Sequence, residues 1–429
     1  MTNSSTPALT ITEASCADDY DPNSMPVDRA RQFIHTFLAP VSGVARLPIR
    51  STLGRVLAAD IISPVNVPSH RNSAMDGWAM RFADLQASET TLTEIGASFA
   101  GQPFGKPVGK NTCVRIFTGG VVPEGADTVV MQEHAEVVAN TDGKFIKFTA
   151  GNKLGQNVRE AGEDLQFGAI ALAKGRTLRP AELGLIASLG IGEISVYRPL
   201  RVAFFSTGDE LVQIGNPLGE GQIYDSNRYT LHGMLTRLGC EIIDMGVVRD
   251  DPAMLAAAFV EAGHIADVVI TSGGVSVGEA DYVRGLLQKL GEVVFWKIAM
   301  KPGRPLAYGK IGNAHFFGLP GNPVSVMVTF YQFVRDALLT LQGVAPLPIS
   351  PLLKAVCTSA IKKAKGRTEF QRGVLYLEDG VFKVRVTGAQ GSGILKSMSD
   401  ANCFIMLHDD VGNVAAGATV DVQILEGVI

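Results

Sequence analysis

Small, hydroxyl and charged residues follow each of five predicted buried strands in the middle of the sequence. The five segments are 206–210 (STGDE), 249–251 (RDD), 271–281 (TSGGVSVGEAD), 297–305 (KIAMKPGRP) and 319–325 (LPGNPVS). In open α/β sheets, ligands bind beyond the carboxyl ends of the strands and near helix N-termini. Five such loops at one edge of a sheet predict a binding site for a phosphate-bearing small molecule.

The loop at 272–278 has the composition of an anion cradle. Its glycines let backbone N–H groups approach a ligand closely, and the loop leads into a helix N-terminus, which favours negative charge. The alternative is a plain glycine-rich turn. The loop is not one of the two common phosphate-binding motifs, because the chain has neither a GxxxxGK[ST] motif nor a dinucleotide-binding fingerprint. Lys297 and Lys301, beyond a buried strand, favour an anion site, although a solvated pair of edge lysines is the alternative.

Four carboxylates fall near the same predicted edge: Glu210, Asp225, Asp250 and Asp281. Each would repel a nearby anionic ligand by roughly 1–4 kcal/mol, whereas a bound hard cation removes the conflict. Oxygen ligands beside phosphate indicate Mg²⁺. Asp251 is explained as a helix N-cap, and a cap is also the alternative for Asp281.

Strands that alternate with amphipathic helices must position these loops. Leu231, Met234, Leu235 and Leu238 are spaced as one apolar face of a helix at 226–238, and a longer helix is predicted from Pro323 to about Leu341. The alternation predicts βαβ crossovers and a doubly wound, mostly parallel sheet in an α/β domain at 199–345.

The flanking segments have other patterns. Residues 1–25 are predicted to be a disordered lead-in, and 26–62 to form two helical stretches around the 40–48 region. Short β-branched runs between Gly/Pro turns predict a β-rich unit at 63–159, and period-two alternation predicts an all-β domain at 346–429.

Bulk properties exclude several classes of protein. The 429 residues carry a net charge of −4 with a pI near 6.0, which argues against a nucleic-acid binder. Five scattered cysteines argue against a disulfide framework or a zinc site and favour a reducing compartment. Neither a signal peptide nor about 20 uninterrupted apolar residues is found, so we expect a soluble, cytoplasmic protein with no membrane partner.

Several ordered motifs resemble those of one family. They are 73–79 (SAMDGWA), 114–119 (VRIFTG), 162–164 (GED), 206–211 (STGDEL), 272–282 (SGGVSVGEADY), 301–303 (KPG) and 320–325 (PGNPVS). From about residue 26 to its end the chain resembles the MoeA family of molybdopterin molybdenumtransferases, which also includes the C-terminal domain of gephyrin. Two departures are Trp78, where the family more often has Tyr or Phe, and the atypical stretch 393–396.

The resemblance implies a homodimer of four-region subunits. A helical linker domain would comprise 26–62 and 160–198, with the β-rich unit inserted at 63–159. The implied reaction takes adenylyl-molybdopterin and molybdate, requires Mg²⁺, releases AMP and leaves molybdenum on the pterin dithiolene. The implied protein partners are the molybdopterin adenylyltransferase and recipient molybdoenzymes.

The resemblance also carries functional roles onto matching positions. The implied catalytic residues are Asp76, Thr118, Asp164, Glu210, Asp250, Asp281, Lys297, Lys301, Arg372 and Ser392, with Glu210, Asp250 and Asp281 suited to Mg²⁺. The substrate-binding residues are Thr207, Gly208, Asp225, Ser272, Gly273, Gly274, Ser276, Gly278, Pro302, Gly321, Asn322 and Pro323. Asp76 and Thr118 would complete the site of the other subunit. A surface charge is the alternative for Arg372, and a turn residue for Ser392.

Two other functions are compatible with the pattern. Related small molybdopterin-binding enzymes adenylylate molybdopterin with ATP, but they consist essentially of the α/β domain alone. A non-catalytic scaffold, a role that gephyrin also has, would be expected to carry a further domain or a long linker.

Overall fold

A computed structural model describes residues 9–16, 23–85, 88–140, 143–274 and 281–425. The predicted multidomain α/β fold is confirmed, with mixed sheets and a closed C-terminal barrel. Besides the helices and strands below, single 3₁₀ turns occur at Ile49–Ser51, Phe82–Asp84 and Gln132–His134.

Two helices and two strands come before the inserted β-rich unit: α1 (Ile11–Cys16), α2 (Val27–Thr36), β1 (Val44–Pro48) and β2 (Ile61–Ile62). The prediction of a disordered lead-in is wrong for residues 9–16. Ile11 is 2% exposed, and its N–H donates to the Glu292 carboxylate at 3.0 Å. It is also wrong at 23–25, where Met25 is 1% exposed and forms a β-bridge with Ile298. The rest of that prediction, at 1–8 and 17–22, lies outside the described residues.

The first of the two predicted helical stretches is confirmed as α2. Its apolar positions Val27, Ala30 and Ile34 are buried, and Phe33 packs edge-on against Trp296 with ring centroids 5.0 Å apart. The second stretch, after the 40–48 region, is wrong, because residues 49–62 contain only the 3₁₀ turn Ile49–Ser51 and strand β2. Residues 44–48 form strand β1. Their exposure alternates along the chain, which suits an edge strand better than a helix.

The inserted unit is β-rich, as predicted, and consists of β3 (Asn72–Ser73), β4 (Gly77–Met80), β5 (Glu89–Ser98), β6 (Thr112–Ile116), β7 (Thr128–Met131), β8 (Ala135–Asn140), β9 (Gly143–Thr149) and β10 (Val158–Arg159). Six of these strands form one sheet in the order β7-β4-β6-β5-β9-β8. Trp78 is 3% exposed and donates its indole N–H to the Glu94 carboxylate at 2.7 Å. This aromatic departure therefore belongs to the core of the unit.

The chain then returns to the segment before the insertion. It forms β11 (Ile170–Leu172), α3 (Pro180–Ser188) and β12 (Glu193–Tyr197). Strand β11 pairs with β2, and β12 pairs with β1. Residues on both sides of the insertion therefore fold together.

The central unit contains β13 (Arg201–Thr207), β14 (Leu211–Val212), β15 (Ile223–Tyr224), α4 (Ser226–Arg237), β16 (Glu241–Val248), α5 (Pro252–Ile265), β17 (Val268–Ser272), α6 (Asp281–Leu290), β18 (Gly291–Lys297), β19 (Met300–Lys301), β20 (Pro305–Ile311), β21 (Ala314–Leu319), α7 (Pro323–Thr329) and α8 (Arg335–Leu341). Its six-stranded sheet has the order β16-β13-β17-β21-β20-β18. Strands β16, β13, β17 and β21 pair in parallel, as predicted. Strand β20, which we did not predict, is antiparallel to both of its neighbours.

Helices cover both faces of this sheet, which confirms the doubly wound arrangement. Successive residues of β13 point to opposite faces, so Phe204 joins the core beneath α4 and α7, while Phe205 joins the core beneath α5 and α6. Both phenylalanines are fully buried. Burying a side chain of this size stabilises the fold by roughly 1.5–3 kcal/mol.

The predicted long helix after Pro323 is continuous but not uniformly α-helical. A π-helical segment, Phe330–Val334, joins α7 to α8. Among the residues that the structure describes, Pro323–Leu341 is the one helical stretch long and apolar enough to span a membrane. Of its most apolar 18 residues, 72% lie buried inside the protein.

The C-terminal unit contains β22 (Leu352–Cys357), β23 (Thr368–Glu378), β24 (Val381–Val386), α9 (Leu395–Ser399), β25 (Cys403–Leu407) and β26 (Thr419–Ile424). The strand order is β19-β23-β24-β22-β26-β25, and an additional pairing of β23 with β25 closes the barrel. Strand β19 comes from the central unit and pairs with β23 in parallel. The barrel is thereby attached beside the strand ends of the central sheet.

Candidate active site

A cavity of about 550 Å³ lies where the carboxyl ends of β13, β17 and β21 meet the N-termini of α4 and α7. Its wall comprises Thr207, Glu210, Leu211, Ile223, Tyr224, Asp225, Ser226, Asn227, Ser272, Gly321, Asn322, Pro323, Gly393 and Leu395. We call it the first cavity. Strand-end residues predicted on three separate loops thus meet at one place.

Close backbone packing at the end of β17 requires glycine. Gly273 and Gly274 have φ of +95° and +71°. A Cβ on Gly273 would lie 2.6 Å from the Thr207 carbonyl oxygen, and one on Gly274 would lie 3.0 Å from Thr207 Oγ1. Both values are closer than normal contact, and φ is in the left-handed region. Ser276 and Gly278, the other predicted members of this loop, lie outside the described residues.

The N-terminus of α4 supplies Asp225, Ser226 and Asn227 to the first cavity. Asp225 caps the helix by accepting the Arg228 backbone N–H at 3.1 Å. Asn227 donates from Nδ2 to Ser272 Oγ at 2.7 Å and to the Gly321 carbonyl at 2.6 Å. We did not predict Asn227, although it lies four residues before Leu231, on the buried face of the helix.

Three buried oxygen atoms of the first cavity lack hydrogen-bond partners among the residues that the structure describes. They are Thr207 Oγ1, Asp225 Oδ2 and Asn227 Oδ1. An unpaired buried polar atom costs roughly 1–3 kcal/mol, so such atoms concentrate at sites that bind ligands. Nearby, Gly208 has φ of +145°, and its missing side chain leaves room for the Glu210 carboxylate.

A second cavity of about 340 Å³ lies between the central unit and the barrel. It is lined by Met300, Lys301, Pro302, Gly303, Arg304, Pro305, Pro320, Gly321, Asn322, Ser325, Arg367, Gln390, Gly391 and Ser392. Gly321 and Asn322 line both cavities.

The two cavities have opposite charge. Among the described lining residues, the second cavity has three cations and no carboxylate, whereas the first has Glu210 and Asp225 and no cation. Lys301, the predicted anion-binding lysine, is half-exposed, and its Nζ lies 3.8 Å from a Glu369 carboxylate oxygen. Lys297 ends β18 and is partly buried, and it lines neither cavity.

Arg372 lies inside the barrel, so the alternative of a surface charge is wrong. The residue is 1% exposed, and its burial lowers the pKa of the guanidinium to about 10. Nε donates to Ser397 Oγ at 3.0 Å, and Nη2 donates to the Gly391 carbonyl at 2.9 Å. Arg372 therefore holds the loop that carries Ser392, and the Ser392 carbonyl accepts the backbone N–H of Val324 at 3.1 Å.

The remaining predicted carboxylates are spread along the strand ends. Asp250 is exposed after β16, while Asp251 is confirmed as the N-cap of α5 and accepts two backbone N–H groups at 3.0 and 2.9 Å. Asp281 is the first residue of α6, and its side chain lies outside what the structure describes. No three His, Cys, Asp or Glu side chains gather as a metal site among the described residues.

Asp76 and Thr118 lie together in the inserted unit. The backbone N–H and the hydroxyl of Thr118 both donate to Asp76 Oδ1 at 2.8 Å, which lowers the pKa of this carboxyl. Asp164 is exposed, and its N–H donates to the Val67 carbonyl at 3.0 Å. Within the described part of the chain, none of the three lines either cavity.

Three family models match successive parts of the chain. Residues 25–190 match "MoeA N-terminal region (domain I and II)", residues 203–340 match "Probable molybdopterin binding domain", and residues 354–425 match "MoeA C-terminal region (domain IV)".

Relatives match over most of their length. The chain is 48% identical over 398 residues to a molybdopterin molybdenumtransferase of Haemophilus influenzae, covering 92% of this chain and 98% of the relative. It is 36% identical to the enzyme of that name from Nostoc sp., covering 87% and 86%. The crystal structure of the molybdopterin biosynthesis moeA protein from Pyrococcus horikoshii superposes with a TM-score of 0.80 at 28% identity, covering 94% and 100%. The chain thus belongs to the MoeA family of molybdopterin molybdenumtransferases and is a transferase of molybdenum cofactor biosynthesis.

Proposed function

We propose that this chain transfers molybdenum from molybdate to adenylyl-molybdopterin and releases AMP. The observation that carries the proposal is the pair of oppositely charged cavities that share Gly321 and Asn322. An adenylylated pterin phosphate and a molybdate dianion need different environments within reach of each other. Adjacent cavities of opposite charge meet that requirement.

Molybdate suits the second cavity. The wall offers the cations Lys301, Arg304 and Arg367 together with the Ser392 hydroxyl. Ammonium and guanidinium groups only donate hydrogen bonds, and a compact tetraoxo dianion only accepts them.

The phosphoanhydride suits the first cavity, where the Gly273–Gly274 backbone approaches Thr207 closely. In the proposed reaction, the two dithiolene thiols of the pterin form Mo–S bonds to molybdate, and one molybdate oxygen leaves with their two protons as water. A water molecule also cleaves the P–O bond between the two phosphates. Its oxygen stays on one phosphate, and AMP and the pterin monophosphate are the two phosphate products.

Mg²⁺ fits this cavity. Mg²⁺ is commonly held by one or two carboxylates together with substrate phosphates. Glu210 and Asp225 line the same wall, and Asp225 Oδ2 has no hydrogen-bond partner within the described part of the chain. When bound, the cation would neutralise phosphate charge. Asp250 and Asp281 remain predicted contributors.

We further propose a cytoplasmic homodimer in which Asp76, Thr118 and Asp164 complete the partner's site. This arrangement is supported by their half-buried or exposed positions and by their separation from both cavities.

The proposed domains are 26–62 with 160–198, 63–159, 199–345 and 346–429. Helix α2 nevertheless packs on the core of the central unit. Protein partners would be the adenylyltransferase that supplies the substrate and molybdoenzymes that receive the product.

Release of AMP from adenylyl-molybdopterin, measured with and without molybdate and Mg²⁺, tests the reaction. We expect release to require both. Asp250→Asn should lower the rate, whereas Asp251→Asn is the matched control, because asparagine caps a helix as well as aspartate does. AMP release that is independent of molybdate, or ATP consumption with molybdopterin as the acceptor, would contradict the proposal.

Mixing two impaired variants, at a molybdate concentration near the wild-type KM, tests the shared site. Asp76→Asn removes a group that each subunit contributes to its partner's site, whereas Lys301→Ala removes a group from the subunit's own site. A mixed dimer therefore keeps one complete site of two. Random exchange of equal amounts makes about half of the dimers mixed, and each mixed dimer has one of two sites. Mixing should therefore restore roughly a quarter of wild-type activity. If the two residues act within one subunit, mixing will restore none.

A further inference from the structure

Asn227 occupies a position on α4 where the helix pattern calls for an apolar residue. It precedes Leu231 by four residues and Met234 by seven, and all three side chains are buried. Asn227 is 8% exposed, and it lines the first cavity. A buried amide on an apolar face costs stability unless its hydrogen bonds are made.

The amide of Asn227 joins two other loops to the helix. Nδ2 donates both of its hydrogens, one to Ser272 Oγ at the end of β17 and one to the Gly321 carbonyl after β21. A carbonyl can only accept a hydrogen bond, so the Asn227 amide must present Nδ2 and not Oδ1 to Gly321.

The loops that Asn227 joins are walls of the site. Gly321 lines both cavities, and a Cβ placed on it would lie 3.8 Å from Gly273 Cα. The Gly273 N–H donates to the Leu319 carbonyl at 3.0 Å. Displacement of Gly321 would therefore alter the shared wall and the glycine cradle together.

We propose that Asn227 is a positioning residue that holds the shared wall of the two cavities in register with the Gly273–Gly274 cradle. In this role Asn227 fixes the separation between bound phosphoanhydride and bound molybdate without reacting itself. The proposal rests on the function proposed above. A displacement near 1 Å at a reacting centre lowers the rate by about 100-fold.

The test compares Asn227→Ala and Asn227→Asp with a buried amide elsewhere. Aspartate has nearly the same shape but cannot donate to Gly321, so we expect kcat for molybdate-dependent AMP release to fall roughly 30- to 300-fold in both variants. The KM values for the substrates should change by less than about threefold, because the binding groups themselves remain.

Gln342→Ala is the control. Gln342 is 9% exposed and donates to the Leu238 carbonyl at 2.8 Å, and it lines neither cavity. We expect this variant to lower the melting temperature while keeping kcat near the wild-type value. Equal losses of kcat in Asn227→Ala and Gln342→Ala, or a wild-type rate in Asn227→Asp, would overturn the proposal.

Hydrogen exchange separates failure of this proposal from failure of the proposed function. In Asn227→Asp, amides of residues 319–326 should exchange at least tenfold faster, because the hydrogen bond to Gly321 is lost. Unchanged exchange would refute the positioning role whatever the reaction. A wild-type protein that releases no AMP would instead refute the proposed function.

Discussion

Replacing Arg372 by lysine should loosen the loop that carries Ser392. Arg372 makes two side-chain hydrogen bonds, to Ser397 and to the Gly391 carbonyl. Lysine keeps the charge but ends in a single nitrogen, which does not reproduce the planar fork of guanidinium. A hydrogen bond from a charged group contributes roughly 1.5–3 kcal/mol. Loss of one such hydrogen bond should lower the free energy of local opening of residues 390–398 by that amount.

Hydrogen exchange with mass spectrometry measures this opening directly. At about 1.4 kcal/mol per factor of ten, amides in the 390–398 peptide should exchange roughly 10- to 100-fold faster in Arg372→Lys. Arg367→Lys is the matched control, because Arg367 is an exposed residue that lines the second cavity. Surface changes of this kind alter stability by about 0.5 kcal/mol at most, so exchange there should change by roughly twofold. Equal exchange in the two variants would show that the buried contacts do not hold the loop.

Three further changes test other parts of the site. In Gly273→Ala, the added methyl would lie 2.6 Å from the Thr207 carbonyl at a φ of +95°, so substrate affinity in a direct binding titration should fall at least about tenfold; unaltered affinity would contradict the cradle. Glu210→Gln removes a carboxylate from the first cavity and should raise the Mg²⁺ concentration for half-maximal AMP release about tenfold; an unchanged Mg²⁺ titration would exclude Glu210 as a ligand. Lys301→Ala removes a cation from the second cavity and should raise the KM for molybdate roughly 10- to 100-fold; a normal KM would place molybdate elsewhere.

Helices and strands with a clear period were predictable, because periodicity reports which face of an element is buried. Helix α4 was predicted at 226–238 and spans Ser226–Arg237. Strand β20 was missed. It begins at Pro305 and contains a glycine, and both residue types are typical of loops. It is also apolar along most of its length and does not alternate with polar residues, so its pattern fits a loop as well as a strand. Its identity depends on pairing with β18 and β21.

The site was predictable to the level of its loops. Thr207, Ser272 and Gly321 share one cavity because the ends of parallel strands meet at one edge of a sheet, and Asp225 joins them at the N-terminus of α4; this rule needs no coordinates. The sequence did not reveal that Arg372 is buried, because burial on a barrel strand depends on which strands close around it.

By itself, the sequence determined the family, the alternation of strands and helices, and the glycines and charged residues at the strand ends, since each is written in residue type and local spacing. Only the tertiary structure decided which of these residues share a wall. Lys301 and Arg367 line one cavity across 65 intervening residues, and Asn227 reaches Gly321 across a separation of 94 residues. Such contacts form only when separate units pack together, and local sequence carries no record of their distances.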